Sequence, residues 1–244
     1  MESGLTLPMV FWHRDNVRVK HAVQCLAVQE DGVISGGEAG EMVFWTQGVP
    51  RVVATANVNH ECKQLVLLAA PPLPELPCGL LVVSLHGDNR VRVWDYLDGR
   101  CIAATAASMF GDSFIIARIC AVPKRFVAIA GSEKSIHILD IWTMTRLCSY
   151  RTLGELVDIT ACSVGDRTRL GAVHGEGFVT LWDFADSGDM GSAPECNFAR
   201  PTAKLTMVIE EVPTKLAISR ELDIVAVAYE HTVSFIHQSW VIHI

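Results

Sequence analysis

The sequence predicts an all-β fold made of repeated four-stranded units, a β-propeller, and three observations carry that expectation. Short apolar segments of strand length recur along the 244 residues. Segments such as "RVRVWD" alternate apolar and polar residues between two turns, which is the pattern of a half-buried strand, while helical periodicity is almost absent. The third observation is a period. Trp45, Trp94, Leu139, Trp182 and Ile236 stand at equivalent points of similar strand–turn–strand stretches, 43 to 54 residues apart. A repeat of roughly 40–50 residues holding four short strands signals propeller blades.

Taken in order, each unit begins with an apolar inner strand: "AVQCLAV", "QLVLLAA", "SFIIARICAV", "LVDITACSV" and "KLAISR". A second apolar strand, a turn and an alternating third strand follow. The third strands are expected at 41–46, 90–95, 135–140, 178–183 and 231–236. An outer strand closes each unit, giving blades near 20–58, 62–107, 113–152, 155–208 and 213–244 within a single domain. "LTLPMVFW" (5–12) reads as an extra N-terminal closing strand. "PPLPELPCG" (71–79) is a proline-rich loop inside the second blade, and the Gly, Ser, Asp and Pro content of 184–201 marks a mobile excursion after the fourth third strand.

Composition narrows the function classes. Half of the residues are hydrophobic and the net charge is −7, so the chain folds around a sizeable core and repels phosphate backbones. Nucleic acid is not an expected partner. Eight cysteines are scattered with no Cys-x-x-Cys pair, which reads as buried free thiols rather than zinc ligands and fits a reducing compartment. The N-terminus has no basic stretch ahead of its apolar part, and four prolines break the longest apolar tract. Neither a signal peptide nor a membrane helix is expected, and the expected location is cytoplasmic.

The dipeptides of "VRVWD" and "VTLWD", Trp94-Asp95 and Trp182-Asp183, resemble the signature of the WD-repeat family. The resemblance implies a ring, usually seven-bladed, in which a turn acid bonds a histidine that links through a serine to the tryptophan nitrogen. In this sequence those positions are Asp88, His60, Ser84 and Trp94 in blade two. Such a network satisfies buried polar atoms while tying turns to strands. The other blades depart from the pattern: Ala39 replaces the acid in blade one, and blades three and five lack the tryptophan. Five repeats against seven imply an incomplete part of a ring that depends on neighbours. "LTLPMVFWHRDNVRVKHAVQCLAV", "DGRCI" and "IHILDIWTMTRLCSY" are similar to the beta subunit family of rabconnectin. That resemblance implies a scaffold for assembling the vacuolar proton pump, with a second large WD-repeat protein and pump subunits as partners.

No nucleophile elbow, phosphate-binding loop or His-Glu-x-x-His motif is present. His86 in "SLHGDN" and His174 in "AVHGEG" occupy equivalent turns and could be two ligands of one metal, but repeat symmetry alone accounts for the likeness. The acids Glu38, Asp88, Glu133 and Glu176 come from separate blades and could converge at a channel, yet they have no nucleophile beside them. The expectation is a non-enzymatic interaction scaffold with no catalytic residue, cofactor or metal. Its candidate partner-binding rim is Glu38, His86, Arg90, Glu133, Lys134, His174 and Glu176. The alternatives are a WD-repeat subunit of another assembly (cytoskeletal, trafficking or RNA-processing) and, from a different class, a propeller enzyme.

Overall fold

The computed structural model describes residues 22–29, 32–45, 52–69, 79–106, 108–187, 195–196, 198–209, 211–221 and 223–237. These residues form twenty antiparallel strands in five sheets, with no helix among them. Blade one pairs β1 (Val23–Gln29), β2 (Gly32–Gly37), β3 (Glu41–Trp45) and β4 (Val52–Asn57) in chain order. Blade two follows with β5 (Cys62–Ala69), β6 (Leu80–His86), β7 (Val91–Asp95) and β8 (Cys101–Ala104). Blade three holds β9 (Ile116–Val122), β10 (Phe126–Gly131), β11 (Ser135–Asp140) and β12 (Thr145–Arg151). In blade four β13 (Leu156–Val164), β14 (Arg167–His174) and β15 (Phe178–Ser187) are followed by β16 (Glu195–Cys196) and β17 (Ala203–Val208), both paired to β15. Blade five contributes β18 (Lys215–Ile218), β19 (Ile224–Ala228) and β20 (Val233–His237).

The expected third strands coincide with β3, β7, β11, β15 and β20, β15 running on to Ser187. The closing strand at 5–12, the loop at 71–78 and the outer strand expected at 239–244 lie outside the described residues. The excursion after the third strand of blade four differs from expectation where it is described. β16 pairs back onto β15, and Phe198 is buried edge-on against Phe126 (4.8 Å) and Phe184 (5.2 Å). Its backbone carbonyl also accepts the Tyr150 hydroxyl from blade three. A large aromatic ring anchored between two blades outweighs the loop-forming composition around it.

Each pair of adjacent blades encloses its own apolar core. Ile34, Met42 and Phe44 meet Leu65, Val82 and Trp94 between blades one and two. Val83, Leu85 and Val93 meet Phe114, Ile119 and Ile129 between blades two and three. Phe126, Ala128 and Ile138 meet Leu170, Trp182 and Phe184 next, and Val173, Val179 and Leu181 meet Leu216, Val225 and Val227 last. A middle strand therefore faces a core on both sides. In β6, Leu80 and Val82 look one way while Leu81, Val83 and Leu85 look the other, and all are buried. That is why the second strand of a blade reads as an unbroken apolar run whereas the outer strands β8, β12 and β17 are largely exposed.

The inner strands β1, β5, β9, β13 and β18 neighbour one another in that order, and no pairing of comparable extent joins blade five to blade one among the described residues. The end blades show the consequence. On β1, Cys25 and Ala27 pack towards blade two while Leu26 and Val28, on the other face, are 57% and 63% exposed. On β20, Ile236 packs towards blade four while Phe235 is 73% exposed.

A bulge near the start of β1, β5, β9 and β13 sets one equivalent position in each: Cys25, Gln64, Arg118 and Asp158. Each of these side chains reaches forward to the next inner strand. The Gln64 amide donates to the Ile119 carbonyl (2.7 Å) and accepts its N–H (2.9 Å). Arg118 lies 4.0 Å from Asp158, and Asp158 accepts the Leu216 N–H (3.1 Å). Cys25 reaches Cys62.

Candidate interaction rim

The turns between the second and third strands all open on one rim, where the loops entering each next blade also arrive. Gly87 N–H donates to the Glu61 carbonyl (2.8 Å), Ser132 N–H to Ile115 (3.0 Å) and Gly175 N–H to Glu155 (2.9 Å). The same backbone bond recurs in three blades, so turn and incoming loop form one stiff edge.

Beneath this edge the tryptophan network takes a form different from the expected one. Trp94 Nε1 donates to Ser84 Oγ (2.7 Å), as the resemblance implies. The imidazole that meets Ser84 is His86, at 2.8 Å from Nε2, and not His60. His60 is exposed and supplies its backbone carbonyl to His86 Nδ1 (3.1 Å). A carbonyl can only accept, so Nδ1 carries the proton, Nε2 accepts from the Ser84 hydroxyl, and that hydroxyl accepts from Trp94. Every polar atom of the chain is matched with the ring neutral. Burial holds the His86 imidazole below its usual pKa, which agrees with that protonation state. Asp88 is outside the chain: its carboxylate takes Arg92 at 3.0 and 2.5 Å and the Arg90 N–H at 3.3 Å. These bonds, led by Arg92, hold its carboxyl below the usual range. The signal was present in the sequence, because Ser84 and His86 are two residues apart on one strand and must share a face.

Of the seven candidate rim residues, five are exposed and two are not. Glu38 and Arg90 are exposed in turns, Arg90 within 4.0 Å of Asp88. Glu133 accepts from Ser113 Oγ (2.8 Å). Lys134 and Glu176 join blades three and four at 3.7 Å, and Glu176 also accepts the Glu155 N–H (3.2 Å). His86 and His174 are wholly buried and belong to the interior, not the rim. His174 is the copy of His86 in blade four, but Ala172 stands where Ser84 would be, and Nε2 turns to Thr180 Oγ1 (3.2 Å). Its Nδ1 lies towards the Gly154 carbonyl without a well-formed bond, and burial lowers its pKa as it does for His86. In blades one and three Gly37 and Gly131 take this position, and a side chain at Gly131 would strike the Phe114 ring.

The rim is acidic. Glu38, Glu61, Asp112, Glu133, Glu155 and Glu176 are all exposed along it, with Glu211 and Glu230 continuing into blade five. Among the described residues, the exposed cations at or near the same edge are Lys63, Arg90, Lys134, Arg151 and Lys215, fewer than the acids. No group of three or more metal-ligating side chains is gathered among the described residues.

The opposite end of the blades holds a cluster that sequence reasoning missed. Arg169, fully buried, forks onto Asp183 (Nε–Oδ1 2.6 Å, Nη2–Oδ2 2.8 Å) and also bonds Asp223 of blade five. Arg167 adds contacts to Asp183 (3.1 Å) and Asp223 (3.3 Å). Two guanidinium groups and two carboxylates thus neutralise each other across the blade boundary, and the paired fork geometry supplies the hydrogen bonds that buried charges require.

No protein-family model matches this sequence, and no curated protein matches it. Solved structures do. The WD40 β-propeller domain of Doa1 superposes with a TM-score of 0.61 at 13% identity, covering 88% of this chain and 64% of that one. The β-propeller domain of Cps50 (Swd1) from Myceliophteria thermophila gives a TM-score of 0.65 at 9% identity, covering 89% and 70%. The BBS1 N-terminal domain, solved in complex with ARL6, gives 0.60 at 13% identity, covering 85% and 62%. The fold is that of a WD40 β-propeller, and the chain spans about two thirds of the length of the propellers it matches.

Proposed function

We propose that this chain is a non-enzymatic protein-interaction platform whose acidic turn rim receives a basic surface of a partner subunit. The observation that carries the reading is the rim itself. Exposed carboxylates line the turns and incoming loops, and in blades two, three and four a recurrent backbone bond braces turn against loop, which presents a charged and rigid surface with little reorganisation cost. The BBS1 propeller domain, solved in complex with ARL6, shows a fold of this kind engaging another protein. An enzymatic reading finds less support: His86 and His174 are engaged in the interior, and the turn acids Asp88, Glu133 and Glu176 bond to neighbouring backbone and side chains.

The finer proposal is a rabconnectin-like role in assembling the vacuolar proton pump, at the cytoplasmic face of vesicle or endolysosomal membranes through partners. It rests on the sequence resemblance described above. Affinity capture with the tagged chain from its native cell tests both levels. Recovery of proton-pump subunits supports the finer reading, and recovery of cytoskeletal or RNA-processing machinery replaces it with another assembly. Reversing Glu133, Glu155 and Glu176 to lysine should abolish the captured set. A set unchanged by the triple reversal removes the rim from the account.

A further inference from the structure

The forward link between blades one and two differs in kind from the others. At the position where Gln64, Arg118 and Asp158 make hydrogen bonds or an ion pair to the next inner strand, blade one places a thiol, and the thiol meets a second thiol. Cys25 Sγ lies 3.6 Å from Cys62 Sγ and 3.2 Å from the Cys62 carbonyl. We propose that Cys25 and Cys62 are a covalent modification site, oxidised to a disulfide by a small-molecule disulfide such as oxidised glutathione, so that blade one becomes stapled to blade two.

The surroundings suit the reaction. Gly36 pairs with Cys25 across the ladder, and a Cβ there would come within 2.5 Å of the Cys62 sulfur and 2.9 Å of the Cys25 sulfur. The glycine leaves the two sulfurs a shared space free of side-chain atoms. Both cysteines border a bulge, where the ladder is interrupted and the strand can shift by the roughly 1.5 Å that separates this contact from a bond of about 2.05 Å. Cys25 is half-buried and reachable, whereas Cys62 is enclosed. The order of events follows. When Cys25 ionises, the Cys62 thiol is placed to donate to it, and that bond holds Cys25 below the usual thiol range while raising Cys62. Cys25 is therefore the attacking group and Cys62 the resolving one.

The Cys25 thiolate attacks one sulfur of oxidised glutathione. The disulfide of the reagent breaks, a mixed disulfide forms on Cys25, and one glutathione leaves as thiolate. Cys62 then gives up its proton and attacks the Cys25 sulfur. The mixed disulfide breaks and the second glutathione leaves. Two protein thiols are oxidised to one disulfide, one glutathione disulfide is reduced to two thiols, and the two protons pass to the departing thiolates. The other described cysteines lack this arrangement. Cys101 is exposed with no thiol beside it, Cys148 donates to Tyr150, and burial pushes Cys120 and Cys162 up.

The test uses the full chain, reduced and then treated with oxidised glutathione, with free thiols blocked by iodoacetamide before peptide mapping. The expected product is a Cys25–Cys62 cross-linked peptide lighter by two hydrogens. The Cys62→Ser variant should instead keep glutathione on Cys25, and Cys101→Ser should leave the cross-link unchanged. The oxidised wild type should melt about 5 °C or more above the reduced form, a shift missing in Cys62→Ser. The proposal is overturned if Cys101 takes up glutathione while Cys25 and Cys62 are both recovered alkylated. It is equally overturned if wild-type Cys25 retains glutathione without passing it to Cys62.

Discussion

Blades two and four carry the same Trp-Asp dipeptide at the same place in the third strand, and they use it in opposite ways. In blade two the tryptophan is the polar anchor: Trp94, Ser84, His86 and the His60 carbonyl form one satisfied line towards the acidic rim. Its aspartate, Asp95, only caps the following turn through the Leu97 N–H (2.8 Å). In blade four the aspartate is the anchor, gripping Arg169 and Arg167, while Trp182 serves as apolar surface stacked on Tyr150 (6.0 Å) under the Lys204 ammonium (5.8 Å). The dipeptide marks a register and not a fixed bond. What it holds is decided by the second strand: the aspartate pairs with Leu81 in blade two and with Arg169 in blade four, and two residues beyond the partner of the tryptophan stands Ser84 in blade two but Ala172 in blade four.

The sharpest way to break the comparison is to remove both aspartates. Asp183→Ala takes the forked partner from a fully buried guanidinium, leaving it only the bond to Asp223, and should cost about 3 kcal/mol, whereas Asp95→Ala removes a turn cap and should cost about 1 kcal/mol. Urea unfolding of the two variants measures the gap, and equal midpoints would show that the Arg169 fork contributes nothing particular.

Ser84→Ala comes next. It leaves the Trp94 N–H and one His86 nitrogen unpaired in the interior and should cost about 1–3 kcal/mol. Ala172→Ser in blade four supplies no missing partner to an existing chain and should not stabilise. A stabilised Ala172→Ser protein would mean that blade four is a damaged copy of blade two rather than a different solution.

Acid should act on both blades. His86 and His174 are held neutral by burial, with folded pKa values below the unfolded value of about 6.5. Below that pH the unfolded chain binds protons that the folded chain refuses. The stability is thus fully present above about pH 6.5 and lost as the pH falls below it. Thermal melts between pH 7.5 and 5.5 should show the fall, reduced in His86→Gln. The smallest effect belongs to the rim, where Lys134→Ala should leave the melting temperature unmoved because the pair it breaks is exposed. Circular dichroism melts would detect a shift if the pair does more than bridge two turns.

The period and the alternation were enough to place all five third strands, because each strand's pattern is set by what its two faces meet, and a buried face admits few residue types. The continuous apolar run of β6 and the polar-flecked outer strands follow from the same rule. By its composition the sequence also determined that the molecule is a folded, acidic, helix-poor chain. Three things were decided only by tertiary structure. The spacing of Ser84 and His86 marks the imidazole of the tryptophan network, but that His60 closes it through its backbone carbonyl depends on where the loop entering blade two meets the end of β6. The Arg169, Asp183 and Asp223 cluster needs a strand register within blade four and a residue from blade five. The Cys25–Cys62 contact joins residues 37 positions apart through the adjacency of two inner strands. In each case at least one partner is distant in sequence and is brought in by tertiary packing. Sequence alone lists the groups that need partners, and packing assigns them.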